Sequence, residues 1–390
     1  MKRKGRLLLV FSVIAVLVVL FSQCMDTSKS AKATETTIAG AKTCVQCHKD
    51  ISNAYLKNVH YAASAPIESN NQINLGADYV YEYDENLKVA IEKRDSGTFQ
   101  VVYFKGKEEL AKRFDIAIGA GKNAYTYASW RGDILSQLPL SFFKQINGWA
   151  NSPGFRTSAP DFGRIIESRC LECHSSFIES KNKNTNSLVV SREMLKSSLV
   201  YGIDCERCHG PAGKHVEFHL KNPDEKEAKF MVLYKTLTRK QRVDACGVCH
   251  SGNDAELLKS TFSFKPGDDL KQYYAHLSPS SEESQLDVHG QQNLMLEGSK
   301  CFTKSNSLEC STCHSPHDQI KGSLTLYSKK CISCHSSIKH TEKTLANAMV
   351  KTNCIDCHMP LKPSKVISFQ QAGQSEVSPY MLRSHRIAVY

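Results

Sequence analysis

From Arg169 to its end the chain has few strong hydrophobic stripes, and the helical pieces expected there, such as Arg192 to Tyr201 and His340 to Val350, have little apolar face to bury. That region therefore needs another source of core, although the overall hydrophobic fraction of 41% is ordinary. A second absence is regional: no cysteine falls between Cys47 and Cys170. That stretch reads as a separate module. The third is length in the one long apolar run, Leu7 to Phe21, which at about fifteen residues falls short of the roughly twenty a membrane-spanning helix needs.

What precedes and follows that run fits export. Lys2, Arg3, Lys4 and Arg6 form a positive start, and Leu7 to Phe21 the apolar centre of a secretory signal. Cys24 stands where a lipoprotein signal carries its acylated cysteine, and the polar stretch from Met25 would serve as a tether. Gln23 is larger than the residue that usually precedes a lipid-bearing cysteine, so lipid anchor and plain leader or uncleaved anchor both stand. Residues 1–24 are read as leader, 25–43 as polar linker, 44–65 as a first cofactor segment, 66–168 as the cysteine-free module and 169–390 as a second, larger cofactor region.

The sixteen cysteines carry the chemistry, because fourteen of them fall into pairs two residues apart, each followed by histidine. These are Cys44-Cys47-His48, Cys170-Cys173-His174, Cys205-Cys208-His209, Cys246-Cys249-His250, Cys310-Cys313-His314, Cys331-Cys334-His335 and Cys354-Cys357-His358. Such a unit is the attachment signature of haem c. Two thiols at this spacing reach the two vinyl groups of one macrocycle, and the adjacent histidine is directed beneath the iron. A zinc site needs two such pairs, or one pair and two histidines, per metal. Redox dithiols have no reason to recur seven times, and a disulfide framework would not repeat one spacing with histidine always following. Seven covalent haems are the expectation. Their flat apolar faces would supply the core that the polypeptide lacks.

Charge follows from the same cofactor. The chain carries 50 Lys and Arg against 39 Asp and Glu, a formal charge of +11. Seven haems would bring about fourteen propionates, partly offset by the ferric irons, and a cleaved leader would remove four cations. The basic balance is therefore no argument for a nucleic-acid partner.

Eight histidines lie outside the motifs: His60, His215, His219, His276, His289, His317, His340 and His385. Eight spare imidazoles for seven irons suffice for bis-histidine ligation throughout. His317 follows His314 too closely to reach the far side of the same iron and would serve a neighbour. His215 and His219, four apart, share a helix face, and His276 has the weakest claim. Cys301 reads as an inert buried thiol, and Met295, Met359 and Met381 as packing.

Within the cysteine-free module, Tyr79 to Tyr83, Leu87 to Glu92 and Phe99 to Phe104 are aromatic and β-branched and are separated by turn-like segments, which predicts a small antiparallel meander. Ile116 to Ile118 and Ala124 to Trp130 are candidates to extend it. Gly119-Ala120-Gly121-Lys122 has a passing likeness to a phosphate loop but lacks its earlier glycine and its Ser/Thr, so it reads as a turn.

Several segments resemble the multihaem cytochromes related to cytochrome c-554. They are Cys44-Val45-Gln46-Cys47-His48 with Tyr55 and His60, Cys205 to Pro211 with His215, Asp287-Val288-His289-Gly290-Gln291, Cys313-His314-Ser315-Pro316-His317, Cys357-His358-Met359-Pro360 and Arg383-Ser384-His385-Arg386. The resemblance implies bis-histidine haems in stacked and angled pairs, with His60, His215, His289, His317 and His385 as distal ligands. His340, in polar surroundings, joins them from the residue count. The Cys-x-x-Cys-Lys motif of ammonia-forming nitrite reductases is absent.

The expected fold is mainly α with much irregular structure, a multihaem cytochrome c array with a small antiparallel β module inserted after the first haem. The expected function is electron transfer in the periplasm or cell envelope between redox partner proteins, with membrane association through the N-terminus. The alternative is a multihaem reductase or oxidase of nitrogen or sulfur compounds with one open haem, the only case that calls for a small-molecule substrate.

Overall fold

The computed structural model describes residues 37–69, 79–181, 193–251, 255–277, 285–318, 322–337, 340–341 and 348–390. The expected leader, residues 1–24, and Cys24 lie outside the described residues, as does most of His340 to Val350, whose end is a 3₁₀ turn over Ala348–Lys351. The chain divides into two compact units. One joins the described part of Met1–Ala39 to Pro211–Met231, and the other comprises Gly40–Gly210 and Val232–Tyr390.

The larger unit opens with two short helices, α1 (Ala41–Cys47) and α2 (Lys49–Tyr55), which meet at His48. Strand β1 (Ser64–Pro66) follows, and then a meander of β2 (Val80–Glu82), β3 (Leu87–Arg94), β4 (Gly97–Phe104) and β5 (Lys107–Arg113) in sequential order. The β4–β5 turn places Lys105 and Gly106 at φ of 53° and 80°, the left-handed pair that matches the twist of a two-residue hairpin.

The strands β6 (Ile116–Ile118) and β7 (Ala124–Arg131) do not extend this meander. With β8 (Ile134–Gln137), β9 (Leu140–Phe143) and β10 (Gly148–Asn151) they build a second sheet in the order β1-β6-β7-β9-β10, β8 pairing with β7. The chain leaves the first sheet at Phe114, which is buried between the sheets. Asp115 fixes the new direction by accepting from the Arg113 Nε at 2.8 Å and the Trp130 amide at 2.7 Å. Between the sheets lie Tyr81, Val89, Ile91, Phe114, Tyr127, Leu140 and Trp149, an aromatic-rich core whose Tyr127 and Trp149 rings are 5.3 Å apart.

After the β module come α3 (Ser168–Leu171), the strand pair β11 (Ser175–Phe177) and β12 (Val200–Tyr201), and α4 (Cys205–His209). The helix expected over Arg192 to Tyr201 is not formed in its described part. Met194 bridges to Ser180, Lys196–Ser198 is a 3₁₀ turn, and the segment ends as a strand, because Leu199 and Met194 pack against the flank of the second sheet instead of forming a helical face. The smaller unit holds α5 (Gly213–Lys221), entered through a Gly213 amide that donates to the Thr37 carbonyl at 2.8 Å.

The rest of the larger unit is short helices and connections: α6 (Arg239–His250), opened by a Thr238/Gln241 capping box, α7 (Gln292–Glu297), α8 (Lys300–Lys304), α9 (Cys310–Cys313), α10 (Leu324–Ile332) and α11 (Ile355–His358). A last hairpin, β13 (Leu361–Phe369) with β14 (Ser378–Arg383), returns to the β module and buries Phe369 and Tyr380 against Phe143 and Ala150. Among the described residues no helix is long and apolar enough to cross a membrane.

Candidate haem centres

Five of the seven motifs lie wholly or largely on helices: the cysteines of α1, the whole of α4, the end of α6, the cysteines of α9, and α11, which holds the last motif except Cys354. A helical turn spaces residues i and i+3 on one face, which sets both thiols toward one macrocycle and lets the next histidine follow them.

The imidazoles meet in pairs, each joining a motif histidine to one outside the motifs. The ring centroids of His250 and His60 are 6.2 Å apart, those of His209 and His317 5.9 Å, His314 and His385 6.0 Å, and His358 and His340 6.2 Å. Two imidazoles bound on opposite sides of one metal, with metal–nitrogen bonds near 2 Å, place their centroids about 6 Å apart. The interplanar angles run from 4° for His209 and His317 to 78° for His250 and His60. His289 is the histidine whose charge, after burial, lowers the pKa of His174. His215 and His219 lie 4.6 Å apart on α5, in the smaller unit. His276 is exposed in a left-handed backbone conformation, φ 58°. Among the described residues no second histidine ring pairs with His335.

The neighbours of these rings hold them in place. The Asn58 carboxamide oxygen lies 3.1 Å from His60 Nδ1 and accepts the His60 amide at 2.9 Å, while its nitrogen donates to the Pro316 carbonyl at 3.2 Å. One buried side chain thus ties the His60 segment to the His317 segment. His358 Nδ1 meets the Ala388 carbonyl at 2.7 Å. Gln292 accepts the His385 amide at 3.1 Å and donates to the carbonyls of Arg383 and Val288, joining the His289 and His385 segments. Such partners fix ring orientation and tautomer. Neither the Asn58 nor the Gln292 role is legible in the sequence, because an amide that orients a nearby ligand has no spacing signature.

Several motif residues are open to solvent yet enclosed by protein. His250 is open to solvent, yet the surrounding protein pushes its pKa down to about 4, first by desolvation and then through His60, His314, His174 and His289. Cys208 and Cys170 are likewise exposed while burial raises both thiols. A group that water can reach while protein encloses it lines an interior hollow. Flat macrocycles would fill such hollows, so the residues present fit haem c.

The thiols, standing for thioether sulfurs of the attached protein, also pair between motifs. Cys44 neighbours Cys205, Cys173 neighbours Cys249, Cys246 neighbours Cys310, and Cys331 neighbours Cys354. Cys301, on α8, is half-buried, and burial raises its thiol pKa.

Motif, ring spacing and enclosed hollows define a multihaem c-type cytochrome, with haem c as its cofactor. It resembles the cytochrome c554 family: the family model described as cytochrome c554 and c-prime matches residues 156–210, which hold the second and third motifs. The dissimilatory sulfite reductase MccA of Wolinella succinogenes is 25% identical over 244 residues, 53% of this chain and 30% of that protein. The chain thus matches less than a third of that relative's length. No solved structure matches.

Proposed function

We propose that the chain is an exported heptahaem cytochrome that passes electrons through bis-histidine haems between a membrane or soluble donor and an acceptor protein. The observation that carries this is the set of four imidazole pairs at 5.9–6.2 Å, each pairing a motif histidine with one from elsewhere. His60 serves the haem of His250, His317 that of His209, His385 that of His314 and His340 that of His358. His289 serves His174. A six-coordinate iron with two imidazoles changes little on reduction, and neighbouring macrocycles let electrons hop with no moving part. The polypeptide is a haem array wrapped by short helices, with the β module as its packed scaffold.

The experiment is an intact mass and a visible spectrum of protein made with working haem-attachment machinery. Seven haems and low-spin ferric bands are expected. Bare polypeptide, or zinc, would sink the reading. Fractionation of a Cys24→Ser variant against the native chain addresses attachment: release from the membrane indicates a lipid on Cys24, and no change indicates a plain leader or uncleaved segment.

A second reading, a reductase of a sulfur or nitrogen compound with one open haem, is favoured by the name of the relative and by His335, which no second described histidine ring faces. It predicts a high-spin ferric signal and binding of cyanide, sulfite or nitrite to the native protein. Spectra indifferent to all three would remove it.

A further inference from the structure

The two residues between the cysteines of a haem motif are ordinarily spacers, but in the second and third motifs the position before the second cysteine is buried and charged. Glu172 of the second motif is 3% exposed and Arg207 of the third 8%. The Glu172 carbonyl oxygen accepts from Arg207 Nη2 at 2.9 Å and is the contact of the Cys249 sulfur at 3.9 Å, so the second, third and fourth motifs meet at a single atom. The Glu172 carboxylate accepts from the Ser260 hydroxyl at 2.9 Å, the Thr261 amide at 2.9 Å and the Thr261 hydroxyl at 2.7 Å. Arg207 in turn donates to the Thr261 carbonyl at 2.7 Å and to its hydroxyl oxygen at 3.1 Å, and lies over the Phe262 ring. The fifth motif reaches the fourth from the other side, where Glu309, next to Cys310, accepts from Arg242 Nε on the helix that carries Cys246.

We propose that Glu172 and Arg207 build a three-way haem junction around the fourth motif, with the second, third and fifth motifs as its arms, and that the Arg207 guanidinium makes the junction the place where electrons collect. This rests on the heptahaem reading. The charge argument is local. Arg207 is bonded to carbonyl and hydroxyl oxygens and to no carboxylate, and its Nε is buried without a partner among the described residues. The carboxylates of its own motif are engaged elsewhere, Asp204 with the Arg207 amide at 3.0 Å and Glu206 with the Gly40 amide at 2.7 Å. Glu172 faces a second guanidinium, Arg169, at 3.8 Å, so the carboxylate between the motifs has a cationic partner other than Arg207. An enclosed positive charge favours the reduced, more electron-rich iron.

The test compares fully loaded native protein with Arg207→Gln and Arg207→Lys in a redox titration followed by visible absorption and EPR. The Gln variant is expected to shift the most readily reduced haems to lower potential, and the Lys variant, which keeps the charge, to titrate as the native protein does. Equal shifts in both, or none in either, would overturn the charge role. Should neither variant load its haems, iron positions from anomalous diffraction of the native holoprotein decide: the iron on His250 is expected to have three haem neighbours, and two or fewer would overturn the junction. A native mass short of seven haems would instead overturn the functional reading, which keeps the two failures distinct.

Discussion

Single side chains decide which iron receives which histidine. His60 stands across from His250, more than two motifs away in sequence, because Asn58 orients its ring and the Ile203 amide donates to its carbonyl at 2.9 Å. His60→Ala is therefore expected to convert one haem of the set to a high-spin form that binds carbon monoxide, leaving the others unchanged. A fully low-spin variant would refute the pairing. Gly202 guards the same approach. Its φ is 64°, and a Cβ there would fall 2.0 Å from the Tyr61 carbonyl oxygen, which only glycine tolerates. Gly202→Ala should cost about 2 kcal/mol or more in chemical denaturation and disturb the spectrum of the haem that His60 serves.

Among elements, the two sheets of the β module are joined by a side chain acting as backbone. Gln100, fully buried on β4, donates to the Leu140 carbonyl at 2.9 Å and accepts the Leu140 amide at 3.1 Å on β9. Gln100→Leu takes partners from a buried N–H and a buried C=O at once. A loss of about 2–5 kcal/mol is expected, read as a lower denaturant midpoint at unchanged slope. The module also reaches into the haem region. Strand β1 pairs with β6 from Ser64 to Pro66, and the Gly119 amide donates to the Ala63 carbonyl at 2.8 Å, so the sheet holds the segment that carries His60. At the other end, β13 and β14 pack on the same module and lead directly to His385.

For the whole molecule the consequence is an uneven dependence on cofactor. The β module has a continuous apolar core of its own, whereas among the described residues the later motifs have only two small apolar clusters, one around Tyr273 and Tyr274 and one around Met295. Protein made without haem attachment should keep a protease-resistant fragment containing residues 79–151 while the later motifs are cleaved. Mass mapping of limited digests checks this, and a uniformly resistant or uniformly labile apoprotein would contradict it.

The cofactor class was legible in the sequence because its chemistry is local. Two thiols and an imidazole within five residues need no tertiary information to be recognised, and the strands of the meander announced themselves by aromatic and β-branched content between turn-like segments. The partition of ten strands into two sheets was not legible, since Ile116 to Ile118 pairs as readily by pattern with one sheet as with the other; a buried Phe114 and the Asp115 carboxylate settled it. The helix expected over Arg192 to Tyr201 failed for a similar reason, as its apolar residues found partners on a sheet flank. Histidine pairing, the orienting amides of Asn58 and Gln292, and the meeting of three motifs at Glu172 join residues tens to hundreds of positions apart. Only the folded chain could decide them, because sequence spacing constrains neighbours along the backbone and says nothing of which distant segments will share a hollow.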